Sequence, residues 1–168
     1  MNKKDSKKYI QLYTALGRLC EKNNLGDPFS YARSKEIYLA IYLKHEVSKT
    51  YSGADAFEKN GKPCEYKSTI GKNIEGYYNG ISVQKSLKAQ KKYIIKEKLG
   101  AYSHHYFSRF DGPKLVELYV MDSKTVIKLL LPKIIKKWKT RTTRPTKDPR
   151  IGVTMSSSEI HQYGKRLL

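Results

Sequence analysis

The sequence predicts a mixed α/β (α+β) fold, in which a central mixed β-sheet is flanked by helices. Three observations predict it. Apolar residues recur at helical spacing near the N-terminus, and they do so again in the range 122–138. Between these stretches, two pairs of short β-type runs are each separated by a turn dipeptide, Asn-Gly or Asp-Gly. No repeat or low-complexity linker interrupts the chain, so we predict a single domain over residues 1–168.

Two helices are predicted in the first fifty residues. The first covers 7–22, where apolar residues follow i, i+3, i+4, i+7 spacing, and the run Asn23–Gly26 should end it. The residues of this stripe are Tyr9, Leu12, Tyr13, Leu16, Leu19 and Cys20. The second helix covers about 31–48. Its predicted buried residues are Ile37, Ala40, Ile41 and Leu43.

Two hairpins follow from the turn dipeptides. Strands Ala54–Phe57 and Cys64–Ser68 flank the Asn-Gly pair at 60–61, and we expect a type I′ turn there, since both of its central positions need positive φ. Strands Ser103–Phe110 and Lys114–Val120 flank the Asp-Gly turn.

The segments between and after the hairpins are less regular. Residues 70–82 contain three glycines and two asparagines and predict a loop, and 83–99 is predicted to be helical in part. A helix is predicted over Asp122–Trp138, with Asp122 or Ser123 as N-cap and Pro132 ending or kinking it. Its inward residues are Val126, Ile127, Leu130 and Leu131.

The C-terminal part begins with a strongly basic stretch. Residues 133–150 contain eight basic residues, one acidic residue and two prolines, which favours an extended basic arm. Residues 151–168 are predicted to add a strand and a short helix. The arm is expected to contact the phosphate backbone of a nucleic acid.

Charge indicates the class of partner. Lysine and arginine number 34 against 15 acidic residues, a net of +19. Such an excess repels itself in the compact state and favours a polyanion as partner, which makes nucleic acid the first expectation. A membrane surface is disfavoured, because no segment pairs a basic face with a wide apolar one.

Localisation is predicted to be intracellular and cytoplasmic. No apolar stretch follows the basic N-terminus as a signal peptide would require, and no apolar run approaches the roughly 20 residues that span a bilayer. Cys20 and Cys64 form no disulfide framework and no metal-binding CxxC pair.

The first predicted hairpin contains the candidate catalytic residues. Side chains two apart on a strand share a face, so Glu65 and Lys67 point the same way, and Asp55 on the other strand is expected to face them. Two carboxylates suit Mg²⁺, and a lysine beside them suits a charged phosphate transition state. The alternative is a polar hairpin edge with one ion pair worth less than about 1 kcal/mol.

These residues resemble a known active site. The run G-A-D-A…E-Y-K-S is similar to the active-site hairpin of the PD-(D/E)xK nuclease superfamily, and most closely to type II restriction endonucleases with the same Asp–Glu spacing. The resemblance extends to the preceding helix KEIYLAIYLKHEVSKTYSGADA, to residues 106–138 and to D-P-R-I-G-V. It covers most of the chain, at low identity outside the hairpin. It implies a restriction-endonuclease-like core.

The resemblance implies roles for individual residues. Asp55 and Glu65 would bind Mg²⁺, with Mn²⁺ the expected substitute. The main-chain carbonyl of Tyr66 would complete the site, and Lys67 would be catalytic. Glu36, on the preceding helix, is a candidate third carboxylate, as in some members of the superfamily.

The resemblance also implies an organisation for the chain. Residues 1–49 would hold the helices that form a homodimer, 50–138 the catalytic core and 139–168 the basic arm with a DNA-contacting segment. Such a dimer cuts both strands of double-stranded DNA at a short sequence and leaves 5′-phosphate and 3′-hydroxyl ends. It also admits a cognate DNA methyltransferase as a partner. The alternatives are a structure-specific or repair nuclease, and a DNA-binding module without activity.

Recognition is expected to differ from that of the restriction endonuclease with the same spacing. A histidine cluster there is replaced here by GYYNGISVQKS, and paired asparagines by Lys147 and Asp148. The expected DNA-binding residues are Asn79, Ser82, Gln84, Lys85, Arg141, Arg144, Lys147 and Arg150. His104 and His105 are neighbours on a predicted strand, so they should face opposite sides and not share an ion.

Overall fold

The computed structural model describes residues 1–141 and 150–168, without the side chain of Arg141. The chain divides into two compact units, Met1–Gly61 and Lys62–Leu168. Both units contain helices and strands, which confirms the mixed α/β class. Among the described residues, no helix is both long enough and apolar enough to cross a lipid bilayer.

The first unit contains two helices and one short strand pair. Helix α1 spans Lys3–Lys22 and begins at Asn2, whose side chain accepts a hydrogen bond from the Asp5 amide. Helix α2 spans Arg33–Leu43. Strands β1 (Glu46–Val47) and β2 (Ala56–Phe57) pair antiparallel. Both predicted helices are therefore confirmed, although α2 is shorter than expected.

The apolar stripe of α1 faces solvent within this chain. Cys20 is the helix's buried residue. The remaining apolar side chains, 41–64% exposed, are Tyr9, Ile10, Leu12, Tyr13, Leu16 and Leu19. In α2 the prediction that Ile41 is buried is wrong, because this residue is 68% exposed. The buried arc of α2 runs from Ile37 through Ala40 to Leu39, and Ile41 falls just outside it.

The turn after β2 differs from the predicted type I′ turn. The Gly61 amide donates to the Glu58 carbonyl at 2.8 Å, and Gly61 has φ +75°. Asn60 does not have positive φ. Glycine therefore occupies the last position of a turn that begins at Glu58, where it is also favoured. An Asn-Gly pair indicates a turn but does not determine which of the two residues is left-handed.

The second unit is built on a mixed sheet. Strand β3 spans Pro63–Thr69, and the strand His104–Asp111, which we call β5, pairs with it in parallel. Strand β6 (Lys114–Asp122) continues antiparallel, followed by β8 (Lys165–Arg166). The β5–β6 hairpin confirms the prediction, and Gly112 adopts φ +54° at its first loop position.

The predicted loop over 70–82 is wrong, because its second half forms a strand. Strand β4 (Gly76–Ile81) pairs antiparallel with β7 (Ile151–Met155), and we call this pair the β4–β7 ribbon. Local composition disfavours a strand here, since glycine and asparagine are poor strand formers. The partner strand lies some seventy residues away, and pairing with it overrides the local preference.

Gly76→Ala is expected to destabilise the second unit by about 1–3 kcal/mol. A Cβ at this position would lie 2.6 Å from Cδ1 of Phe107, which is fully buried, and closer still to its Cε1. Gly71→Ala is the control, because the nearest atom to its added Cβ is the Asn73 carbonyl oxygen at 4.0 Å. Urea unfolding of both variants tests this, and equal midpoints would contradict it.

The long C-terminal helix passes through its proline. Helix α4 spans Ser123–Arg141, which confirms the predicted helix over Asp122–Trp138 and shows that Pro132 does not end it. The predicted extended arm is wrong for 133–141. Ile134 is fully buried and Trp138 packs against the same core. They repeat the four-residue spacing of Val126 and Leu130, and this burial offsets a cost of about 3 kcal/mol for an internal proline.

The remaining elements complete the second unit. Helix α3 (Leu87–Tyr93) continues into a π-helical turn, Ile94–Lys98, which confirms a partly helical segment. After β7, helix α5 (Ser157–Tyr163) begins with a capping box between Ser156 and Glu159. The predicted C-terminal strand and helix are thus confirmed. Residues 142–149 of the predicted basic arm lie outside the described part of the chain.

Candidate active site

The three residues of the sequence motif lie in different units. Asp55 belongs to the first unit, whereas Glu65 and Lys67 belong to the second.

Asp55 stands directly before β2 and is partly buried. Its main-chain carbonyl accepts a hydrogen bond of 3.1 Å from the Ser48 amide, which extends the β1–β2 pairing by one residue. The Ser48 carbonyl in turn accepts a hydrogen bond from the guanidinium of Arg33, which is 1% exposed. A buried arginine thus holds the backbone next to the segment that carries Asp55.

Glu36 has a structural partner. Its Oε2 lies 3.3 Å from Nη1 of Arg33, one helical turn away on α2. Arg33 also donates through Nε to the Leu25 carbonyl at 2.7 Å. A buried arginine requires such neutralisation, so the pair accounts for Glu36 without a metal. Its role as a third metal ligand stays a prediction.

Glu65 and Lys67 project from the same face of β3. Inward and outward residues alternate along this strand, with Cys64 and Tyr66 buried on the other face. The Lys67 ammonium donates a hydrogen bond to Oε1 of Glu65, and the two side chains are 21% and 13% exposed. A carboxylate and an ammonium therefore lie in contact at a partly desolvated surface, as the period-two pattern predicts.

A buried tyrosine lies next to this pair. The Lys67 Nζ is 5.1 Å from the ring centroid of Tyr78, which comes from β4 and is 3% exposed. The hydroxyl of Tyr78 is 3.0 Å from Nδ1 of His105, and Nε2 of His105 is 3.1 Å from the Leu99 carbonyl. Because a carbonyl only accepts, Nε2 carries the proton, and Nδ1 accepts from the tyrosine hydroxyl.

His105 is fully buried and neutral, and His104 is partly exposed. Burial lowers the pKa of His105 from 6.5 to about 4, against the opposing effects of the Glu65 charge and of the hydrogen bond to Leu99. The two histidines therefore do not form one site, as predicted from their neighbouring positions on a strand. His105 serves the hydrogen-bond network around Tyr78.

Stability is expected to fall as the pH is lowered from about 6.5 towards 4. Between these values the unfolded chain protonates His105 and the folded chain does not, so protons favour unfolding. From about pH 7.5 to pH 5 the loss should be about 2 kcal/mol. Urea unfolding in EDTA measures it, and His105→Gln should show a smaller loss. The same pH dependence in both proteins would contradict this explanation.

The residues fit a hard cation by their chemistry. A Mg²⁺ ion commonly takes one or two carboxylates, with water and phosphate oxygens filling the other positions. Within residues 1–141 and 150–168, no group of three or more His, Cys, Asp or Glu side chains is arranged to hold a metal. The carboxylates of the sequence motif, Asp55 and Glu65, are two and so fewer than such a group contains.

Two of the predicted DNA-binding residues meet on the β4–β7 ribbon. Asn79 on β4 and Arg150, directly before β7, line the same polar cavity of about 280 Å³. Tyr77 and Gly152 also line it, and Asn79, Tyr77 and Arg150 are exposed. Side chains of this ribbon therefore alternate between the core, as Tyr78 does, and an exposed polar face.

Side chains from other parts of the second unit hydrogen-bond to the main chain of the segment after β4. Gln90 is fully buried, and its side chain accepts from the Gln84 amide at 2.8 Å and donates to the Ser82 carbonyl at 3.2 Å. The Trp138 indole donates to the Gln84 carbonyl at 3.2 Å. These three bonds fix the loop that carries Ser82, Gln84 and Lys85, of which Ser82 and Lys85 are exposed.

A basic groove of about 340 Å³ on α4 and β7 was not predicted from the sequence. It is lined by Lys133, Lys136, Lys137, Thr140, Val153 and Thr154. Lys133 donates to the Thr154 carbonyl at 3.0 Å and to Glu159 at 2.6 Å, and Lys137 donates to the Gly152 carbonyl. The i, i+3, i+4 spacing of the lysines indicates one helix face, once the segment is known to be helical.

Arg144 and Lys147 lie outside the described residues, and so does the side chain of Arg141. Three features of these surfaces were not predicted from the sequence. They are Tyr78 beside Lys67, Gln90 under the loop after β4, and the lysines of α4. For Tyr78 the alternation within Gly-Tyr-Tyr-Asn-Gly was the available indication.

No protein-family model matches this chain, and no curated protein matches it either.

Proposed function

We propose that this protein is a Mg²⁺-dependent type II restriction endonuclease that cuts both strands of double-stranded DNA at a short specific sequence. The observation that carries the proposal is the pair on β3, where Glu65 and Lys67 are in contact on one partly buried face. A net charge of +19 supports a polyanionic substrate. The spacing of Asp55, Glu65 and Lys67 supports the superfamily.

In this proposal Asp55, Glu65 and the main-chain carbonyl of Tyr66 hold the metal. When bound, Mg²⁺ stabilises charge on the scissile phosphate and lowers the pKa of a coordinated water. The carboxylate of Glu65 also holds the Lys67 ammonium before DNA arrives. Glu65 therefore has two partners of positive charge, which suits a residue that is only 13% exposed.

Lys67 acts on the reacting phosphate. Its ammonium has three N–H donors, one of which donates a hydrogen bond to Glu65. The other two are suited to donate to a phosphate oxygen and to the attacking water. Because the ammonium is partly removed from solvent, its charge is worth more to the developing negative charge than it would be in water. Hydrolysis leaves a 5′-phosphate and a 3′-hydroxyl.

DNA binding is assigned to the β4–β7 ribbon and the basic groove. Asn79 and Gln84 carry amides that suit adenine, and Lys85 suits guanine. Lys136 and Arg150 suit phosphates, whose contacts position the duplex without reading its sequence. Because the groove lysines adjoin the ribbon at Gly152 and Thr154, backbone and base contacts belong to one continuous surface.

The active form is proposed to be a homodimer that associates through α1. Five apolar side chains of this helix are exposed along one stripe, from Tyr9 to Leu19, which is an unusual surface for a helix that has no partner. Two copies supply the two sites that a double-strand cut requires.

Incubation of the purified protein with a sequenced plasmid tests the function, in Mg²⁺ and in EDTA, with sequencing of the ends. Discrete Mg²⁺-dependent fragments that share one end sequence are expected. Random degradation, or cutting of branched DNA alone, would indicate a repair or structure-specific nuclease instead. Intact plasmid with a clear gel shift, on unmethylated DNA, would indicate a binding module and overturn the proposal.

A further inference from the structure

Strand β4 presents two different faces around its tyrosine pair. Tyr77 is 56% exposed on the face of the polar cavity, whereas Tyr78 is 3% exposed and belongs to the core. Tyr78 is held at its hydroxyl, which donates to Nδ1 of His105 at 3.0 Å. The other ring nitrogen of His105 is held by the Leu99 carbonyl, and Leu99 is also fully buried. The ring of Tyr78 therefore has one fixed orientation.

The face of this ring is next to Lys67. A distance of 5.1 Å from Nζ to the ring centroid is within the range of a cation–π interaction. Lysine is a flexible side chain whose ammonium is a point charge, so a single contact with Glu65 leaves it several rotamers. A second contact from a rigid ring removes most of that freedom.

We propose that Tyr78 is a positioning residue for Lys67, and that His105 fixes the Tyr78 ring for this purpose. The inference rests on the proposed nuclease function. Tyr78 touches neither DNA nor metal in this arrangement, and it acts through the lysine alone. Strand β4 then has two roles in this proposal. Tyr78 on one face supports the proposed catalytic lysine, and Asn79, the next residue, lies on the opposite face.

The matched controls come from a second tyrosine–histidine contact in the same unit. Tyr119 on β6 is 8% exposed, and its ring lies 5.2 Å from that of His161. It belongs to the same buried core as Tyr78. Leucine and phenylalanine at either position therefore test the loss of a core tyrosine, and only the changes at Tyr78 alter the surroundings of Lys67.

Single-turnover cleavage and DNA affinity are measured for all four variants. Tyr78→Leu should lower the cleavage rate about tenfold or more while the Kd for DNA changes less than about twofold. Tyr78→Phe keeps the ring and should lose only about threefold. The Tyr119 variants should match the wild-type rate while folded. Equal rates in Tyr78→Leu and wild type, or equal losses in Tyr78→Leu and Tyr119→Leu, would overturn the inference.

A measurement without DNA or metal separates this inference from the proposed function. In protein labelled with ¹³C-lysine, the Cε protons of Lys67, assigned with Lys67→Arg, should be shifted upfield by the ring current. The shift should persist in Tyr78→Phe and vanish in Tyr78→Leu. An unshifted resonance in the wild type overturns the inference even if the enzyme cuts DNA. A shifted resonance in a protein that cuts no DNA overturns the proposed function. The catalytic role of the Lys67–Tyr78 contact is then overturned as well.

Discussion

Lys67→Ala is expected to lower the rate of DNA cleavage about a thousandfold, with the protein still folded. The ammonium is the positive charge that this chain places on the same face of β3 as Glu65, and alanine leaves nothing in its place to stabilise the developing charge on the phosphate. Stability should change by only about 1 kcal/mol, because the Glu65–Lys67 pair is partly exposed. Single-turnover cleavage and urea unfolding measure the two effects separately.

The same sheet supplies a matched control for that variant. Arg109 on β5 and Glu117 on β6 form an ion pair of 3.0 Å, and they are 23% and 24% exposed. Arg109→Ala therefore removes a basic residue from a similar pair and should leave cleavage within about twofold of wild type. If Lys67→Ala cut DNA at the rate of Arg109→Ala, Lys67 would not be catalytic. A loss of folding in Lys67→Ala would be visible by urea unfolding and would call for Lys67→Met.

Asp55→Asn is expected to abolish Mg²⁺-dependent cleavage and to strengthen DNA binding. Asparagine keeps the size of the side chain and the main-chain bond to Ser48, but it removes the charge that a hard cation requires. It also removes one negative charge that repels phosphate, so the gel-shift Kd in EDTA should fall by about two- to fivefold. Cleavage should drop by at least about a thousandfold.

Glu58→Gln is the control for this variant. Glu58 is also partly buried in the first unit, and its replacement makes the same change in charge three residues further along the chain. It should bind DNA as tightly as Asp55→Asn within about twofold and still cut it. Wild-type cleavage by Asp55→Asn would exclude Asp55 as a metal ligand. Tighter binding in both variants, with no cleavage by the wild type, would favour a DNA-binding module.

Features that depend on nearby residues were predictable. The β5–β6 hairpin follows from alternating apolar residues around an Asp-Gly turn, and α1 follows from its spacing and the Asn23–Gly26 breaker. The shared face of Glu65 and Lys67 follows from the period of a strand, whatever the rest of the fold. The net charge is a property of composition alone.

Features that depend on a distant partner were not predictable from local patterns. Residues 76–81 form a strand because β7 pairs with them, although their own composition favours a loop. Residues 133–141 are helical rather than an extended arm because Ile134 and Trp138 gain burial against the core. The turn at Gly61 shows the same limit on a smaller scale, since the dipeptide allowed several turn types and the surrounding chain selected one.

The sequence by itself determined that a carboxylate and a lysine would share one face of a strand in a strongly basic chain, because both facts are local or compositional. Only the tertiary structure decided what surrounds that lysine. Tyr78 lies against it and His105 holds Tyr78, although these residues are 11 and 38 positions further along the chain. No periodicity encodes such contacts, since they depend on the order and register of the strands. The sequence therefore identified the Glu65–Lys67 pair, and the packing of β4 and β5 determined what surrounds it.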